Sequence, residues 1–133
     1  MQFPALTAFY GAILALIYAV LSLWVIAGRG QFGVLHGDGG QDRMIRRIRS
    51  HANFAEYVPL ILLLVAFLEA GGAAGAATVR ALLLILVVAR LMHPVGMMAP
   101  VGSVQQYVFR GTSVVATLSA LIAAAVLLLV RLA

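Results

Sequence analysis

Cysteine is absent from this chain, which excludes disulfides, thiolate metal sites, iron–sulfur clusters and a cysteine nucleophile. Any thiol chemistry must use a thiol that the substrate brings. Lysine is absent too, so all nine basic side chains are arginines, and acid is confined to Asp38, Asp42, Glu56 and Glu69. Charged residues make up only 10% of the 133 positions against 64% hydrophobic, and the mean hydropathy is +1.09. That usage belongs to a membrane protein and not to a soluble domain. At about 20 apolar residues per span, there is room for four helices and little else. The pI near 10.8 then reports orientation and attraction to anionic lipid, and no nucleic-acid partner is expected.

Four segments emerge along the chain. The first span, 3–27, has no charge and only Thr7, Tyr10, Tyr18 and Ser22 as polar relief, ending at Gly28-Arg29-Gly30. It lacks a positive leader region and is too long for a signal-peptide core, so it is expected to be retained. The glycine-rich stretch to Gln41 carries turn chemistry and forms an extramembrane loop. A second helix is predicted over 42–70 with Asp42 as N-cap. Its length of roughly 42 Å exceeds a hydrocarbon core of about 30 Å, so its arginine-rich start protrudes. Gly71 to Gly75 is a turn, a third span covers 77–98, Pro100 and Gly102 break it, and a fourth covers 103–130. The fold class expected is all-α, an integral membrane four-helix antiparallel bundle.

Arginine distribution sets the orientation. Arg29, Arg43, Arg46, Arg47, Arg49, Arg90 and Arg110 lie in or near the first and third loops, whereas only Arg80 and Arg131 lie toward the other side. The positive-inside rule places the termini outside and the basic loops in the cytoplasm.

Polar groups cluster in RSHANFAEYVP, which holds Arg49, Asn53, Glu56 and Tyr57 before a run of apolar residues. Ionisable residues inside a membrane are functional candidates because each is costly without a partner. A hairpin turning about Ala73 puts Glu56 level with Arg90, Asn53 with His93, and Arg49 with Met97. Positions 49, 53 and 56 share a face of one helix, as do 90, 93 and 97 on the other. The expectation is a Glu56–Arg90 ion pair within a polar cleft open to the cytoplasmic side. A structural pair alone would need no further polar neighbours; Asn53, His93 and Arg49 favour a ligand site. His51 falls on another face and reads as interfacial. His36, Asp38 and Asp42 are too loosely spaced, among glycines, to suggest a metal, and no metal is expected. Pro59 and Pro94 read as kinks that membrane helices tolerate.

RSHANFAEYVPL, followed after the glycine turn by ARLMHPVG, resembles the MAPEG family, the membrane-associated proteins in eicosanoid and glutathione metabolism. The likeness covers most of the chain. Its Arg-x-x-x-Asn-x-x-Glu-Tyr-x-Pro pattern is fairly specific, Ser22 to Arg29 supports it, and the GDGG loop with RLMH suggests a small bacterial subgroup of the inner membrane. The resemblance implies a homotrimer holding glutathione, as cosubstrate, in a U shape between neighbouring subunits on the cytoplasmic side. It further implies that Arg49, Asn53, Glu56 and Tyr57 contact glutathione, with Arg29 reaching in from the first helix. Glu56 would accept from the glutamyl ammonium and Arg49 would pair with a carboxylate. Arg90 would organise Glu56, and His93 stands where members carry tyrosine or histidine.

Two positions depart from that pattern. Met97 replaces a second tyrosine of eicosanoid members, and Gly102 stands where transferase members have a thiolate-stabilising arginine, often beside a serine. A free thiol has a pKa near 8.5, so without a nearby cation little of it is nucleophile at neutral pH. Ser103 and Arg110 are the candidate catalytic residues, although Arg110 lies about 12 Å further along an ideal helix than Gly102; Gln106 and Tyr107 are further hydrogen-bond donors. The function implied is a glutathione transferase or peroxidase acting on a hydrophobic electrophile from the bilayer, with lipid as neighbour. The alternative is a non-catalytic membrane ligand-binding protein or a small four-helix transporter, against which a paired Glu56 would speak.

Overall fold

The computed structural model describes residues 2–133, and all its regular elements are helical. Four helices are each long and apolar enough to cross a membrane: α1 Ala5–Phe32, α2 Asp42–Ala70, α3 Ala76–Met98 and α4 Val104–Leu132. The α2–α3 hairpin is central. α1 and α4 both pack on it but do not touch each other, so they flank it on opposite sides.

Span boundaries largely follow the sequence, with α1 as the main correction. It runs past Gly28-Arg29-Gly30 and stops at Gly33, whose φ of 66° is the left-handed conformation that ends helices. A helical glycine costs only about 1 kcal/mol, and at Gly28 its bareness is used. A Cβ there would meet Met44 Sδ and Arg47 Nη1 at 2.8 Å. Asp42 is not the N-cap of α2; Gln41 occupies that place, and Asp42 pairs with Arg46 at 2.8 Å. α3 continues through Pro94 as α2 does through Pro59.

Inside α4, residues Tyr107–Gly111 are π-helical, a feature that no periodicity in the sequence announces. Thr112 Oγ1 donates to Val108 O, and Ser113 Oγ donates to Arg110 O at 2.8 Å. These hydroxyls serve carbonyls in the π turn that the regular ladder serves poorly.

The core lies where α2 and α3 meet α1 and α4, with Leu14, Val58, Ile61, Leu83 and Leu86 fully enclosed and Ala120 and Ala124 letting α4 approach. Leu16, Leu23, Phe67, Val88 and Ile122 remain exposed, as suits surfaces facing lipid or other protein. At one end Glu69 clasps α1. Its Oε1 accepts from Leu6 N–H at 2.8 Å, and its Oε2 accepts from Thr7 N–H at 2.8 Å and Thr7 Oγ1 at 2.7 Å. A carboxylate from α2 thus caps the positive N-terminus of α1.

Candidate functional site

The α2–α3 hairpin sets the site's register. α2 ends in a Schellman motif: Ala73 N–H bonds Leu68 O at 2.9 Å and Gly72 N–H bonds Glu69 O at 3.1 Å, with Gly72 at φ 63°. The turn, 71–75, lies between Ala70 and Ala76 and is centred on Ala73, the pivot expected.

The Glu56–Arg90 pair expected from that pivot does not form. Arg90 Nη1 donates instead to Asn53 Oδ1 at 2.6 Å, and its Nη2 donates to Thr117 Oγ1 on α4. On the opposite helix, Arg46 Nη1 donates to Met97 O at 3.2 Å and Ala99 O at 2.9 Å, whereas Met97 was expected opposite Arg49. The Arg90–Asn53 and Arg46–Met97 contacts fall three residues from the predicted register and Arg46–Ala99 falls one, offsets that the reach of an arginine side chain spans.

Arg90 is 1% exposed, has no carboxylate within ion-pair distance among the described residues, and keeps Nε without a partner. It is a buried cation held by neutral oxygens of α2 and α4. His93, one turn along α3, also turns to α4, with Nδ1 3.1 Å from Ser113 Oγ. It does not meet Asn53.

Glu56 is directed outward. Its Oε1 lies 3.9 Å from Arg49 Nη1, and both side chains are about half exposed at 50% and 58%. Tyr57, half-buried, lines a small void with Asn53, Arg90 and Thr117. Asn53 and Tyr57 thus face Arg90, while Arg49 and Glu56 of the same helix form a separate, open pair. Arg29 lies at the loop, its Nη1 donating to Leu35 O at 3.0 Å and Gly37 O at 3.2 Å. Ser103 caps α4, its Oγ accepting from Gln106 N–H at 3.1 Å while Gln106 Oε1 accepts from Gly102 N–H at 2.9 Å.

Arg110 is exposed on the π segment of α4, and its backbone lies against Gly96 of α3. Gly96 is one turn from His93, and Arg110 one turn from Ser113. The 12 Å separation from Gly102 along an ideal helix therefore does not measure its place in the bundle. Its backbone stands one turn from the His93–Ser113 contact, toward the 99–103 loop.

Three contacts escaped the sequence reading. His51 Nε2 is 3.1 Å from Ser22 Oγ, and its ring stacks on Tyr18 at 4.6 Å, so it binds α1 to α2. Arg47 lies over Trp24 at 5.2 Å and Phe32 at 5.7 Å, with Nη2 donating to Gln31 Oε1 at 3.0 Å. Glu69 clasps α1. The up-down topology already put Thr7 and Glu69 at one end of the bundle and Ser22 and His51 near the other, a signal that could have paired them.

The arrangement presents an acid, several cations and amide and phenol groups on an otherwise apolar bundle whose four helices are each long enough to cross a membrane. A family model described as MAPEG family matches residues 7–130, and the chain belongs to that family. Inner membrane protein YecN of Escherichia coli strain K12 and inner membrane protein YecN of Escherichia coli O6:H1 strain CFT073 are each 36% identical to it over 90 residues, 68% of this chain and 68% of the relative.

Proposed function

We propose that this chain is a glutathione S-transferase or peroxidase of the bacterial inner membrane, acting as a homotrimer on hydrophobic electrophiles that arrive through the bilayer. The observation that carries this reading is the Arg49–Glu56 pair, 3.9 Å apart and half exposed on an apolar helix bundle. Such a pair is costly facing lipid. A neighbouring subunit and a ligand with both an ammonium and carboxylates would enclose it. Glutathione has one ammonium and two carboxylates: Glu56 accepts from the former, Arg49 pairs with one of the latter, and Asn53 and Tyr57 supply neutral hydrogen bonds. Arg29, once released from its loop carbonyls, adds a second cation. Arg90 and His93 back the site as supports, fixing Asn53 from α3 and Ser113 on α4.

Arg110 is the cation for the sulfur, in place of the missing arginine at Gly102, and the Ser103 hydroxyl retains a proton to donate. The thiol proton passes to solvent, the thiolate attacks an electrophilic carbon, and the C–S bond forms as the leaving group departs with its electron pair. In the peroxidase variant the thiolate attacks the terminal hydroperoxide oxygen, the O–O bond breaks and the alkoxide leaves to take a proton from solvent; a second glutathione thiol then attacks the sulfenic acid so formed, giving the disulfide and releasing water. An apolar depression of about 560 Å³, lined by Tyr107, Val108, Gly111, Thr112, Val115 and Ala116, lies on another face of the same length of α4. It suits a hydrophobic second substrate.

A second reading, non-catalytic binding, is favoured by two features: Ser103 is engaged as a helix cap and Gly102 carries no cation. Calorimetric titration of detergent-purified protein with glutathione, followed by conjugation of chlorodinitrobenzene, separates the two. Saturable binding lost in Glu56→Gln, with turnover lost in Arg110→Leu, supports the transferase. Saturable binding without turnover supports the second reading, and unchanged affinity in Glu56→Gln removes the site assignment.

A further inference from the structure

A Cβ placed on Gly96 would lie 2.4 Å from Arg110 N, 2.9 Å from Arg110 Cα and 2.9 Å from Phe109 C. All three are backbone atoms, so no side chain can swing aside to make room. The contact falls on the π segment of α4, where one extra residue is accommodated in the helix, a feature that tends to mark functional positions. One turn away, the Ser113 hydroxyl joins His93 Nδ1 at 3.1 Å to Arg110 O at 2.8 Å. α3 therefore holds this short length of α4 at two points, Gly96 and His93, spaced by one helical turn. Between them the backbone of Arg110 is fixed while its side chain stays exposed.

We propose that Gly96 and Ser113 are positioning residues for Arg110: the bare Gly96 surface and the Ser113 bridge seat the π segment so that the guanidinium stands at the depth where the thiolate forms. This rests on the reading of Arg110 as the cation beside the glutathione sulfur. The leverage is geometric. Relieving a 2.4 Å contact to an ordinary 3.4 Å one displaces the segment by about 1 Å, and a misplacement of that size at a reacting centre can cost on the order of 100-fold in rate. Arg49 and Glu56 pair with each other on α2 and Asn53 meets α4 only through Arg90 at Thr117, so such a shift bears chiefly on Arg110, and binding and thiolate stabilisation separate.

The test uses the full-length protein in detergent with glutathione, reading three quantities: the pH midpoint of thiolate ultraviolet absorbance, glutathione affinity by calorimetry, and chlorodinitrobenzene conjugation. Gly96→Ala is expected to raise the midpoint and lower kcat/KM by about 10- to 100-fold, with affinity within about twofold of the parent. Ser113→Ala, which introduces no clash, shifts the midpoint the same way by less, and carries the test alone should Gly96→Ala fail to fold. Arg110→Leu separates the two levels of inference. A raised midpoint in Arg110→Leu with none in Gly96→Ala or Ser113→Ala overturns the positioning role alone, and an unchanged midpoint in Arg110→Leu overturns the reading beneath it as well.

Discussion

Arg90 of α3 donates to Asn53 Oδ1 of α2 at 2.6 Å, and no carboxylate compensates it. A cation enclosed in a membrane bundle and held by neutral oxygens depends on those oxygens, because loss of one leaves charged N–H groups unmatched in a medium of low dielectric. Asn53→Ala is expected to destabilise the protein by about 2–4 kcal/mol. Glu56→Gln, outside that network, should change stability by less than about 0.5 kcal/mol. Thermal unfolding in detergent compares them, and an order reversed from this would restore the Glu56–Arg90 ion pair.

Glu69 stabilises α1 through both oxygens. Glu69→Ala is expected to cost about 1–2 kcal/mol, the range of a lost helix cap and its dipole interaction. Hydrogen exchange localises the effect: the Leu6 and Thr7 amides should lose protection while α3 amides keep theirs.

The two tightly packed glycines should differ in tolerance. At Gly28 a methyl meets the far ends of Arg47 and Met44, which can move, whereas at Gly96 it meets backbone. Gly28→Ala should cost less than about 1 kcal/mol and Gly96→Ala about 1–3 kcal/mol, the usual range for overpacking. Melting curves of the two variants, taken side by side, check the order.

Trp24 is the single tryptophan of the chain and lies under the Arg47 guanidinium at 5.2 Å. Its fluorescence therefore reports that cation–π contact, of about 0.5–1 kcal/mol at an accessible site. Arg47→Met should alter Trp24 emission, and Arg43→Met, on an exposed position of the same helix, should leave it unchanged. Equal spectra for both variants would remove the contact.

The absence of cysteine makes orientation directly measurable. In the orientation that the arginine distribution predicts, His36→Cys should resist a membrane-impermeant maleimide in intact cells, and Ala74→Cys should react. The opposite labelling pattern would invert the topology.

Much of the bundle is readable from composition and spacing. α2 carries the predicted limits, and α3 differs by a single residue at its start, because a run of apolar residues bounded by glycine leaves a membrane helix few alternatives. The residues of RSHANFAEYVP also mark where polar groups gather. Their pairing was less legible. Depth along a helix follows from a constant rise per residue, but which group a long arginine side chain meets depends on helix rotation and on the direction in which that side chain runs, and Arg90 reaches Asn53 and Thr117 instead of Glu56.

By itself the sequence determined four apolar helices, their order, the exclusion of cysteine chemistry and the MAPEG likeness, all of which rest on local composition or on motifs read within one segment. Only the tertiary structure decided that Arg90 is bound by Asn53 and Thr117, that Glu56 is left to Arg49, and that Arg110 stands beside Gly96 on a π turn. Each of those outcomes depends on the rotation of one helix against another. That angle is set by turn geometry and close backbone packing, which are sums over distant residues and leave no periodic trace in any single stretch of chain.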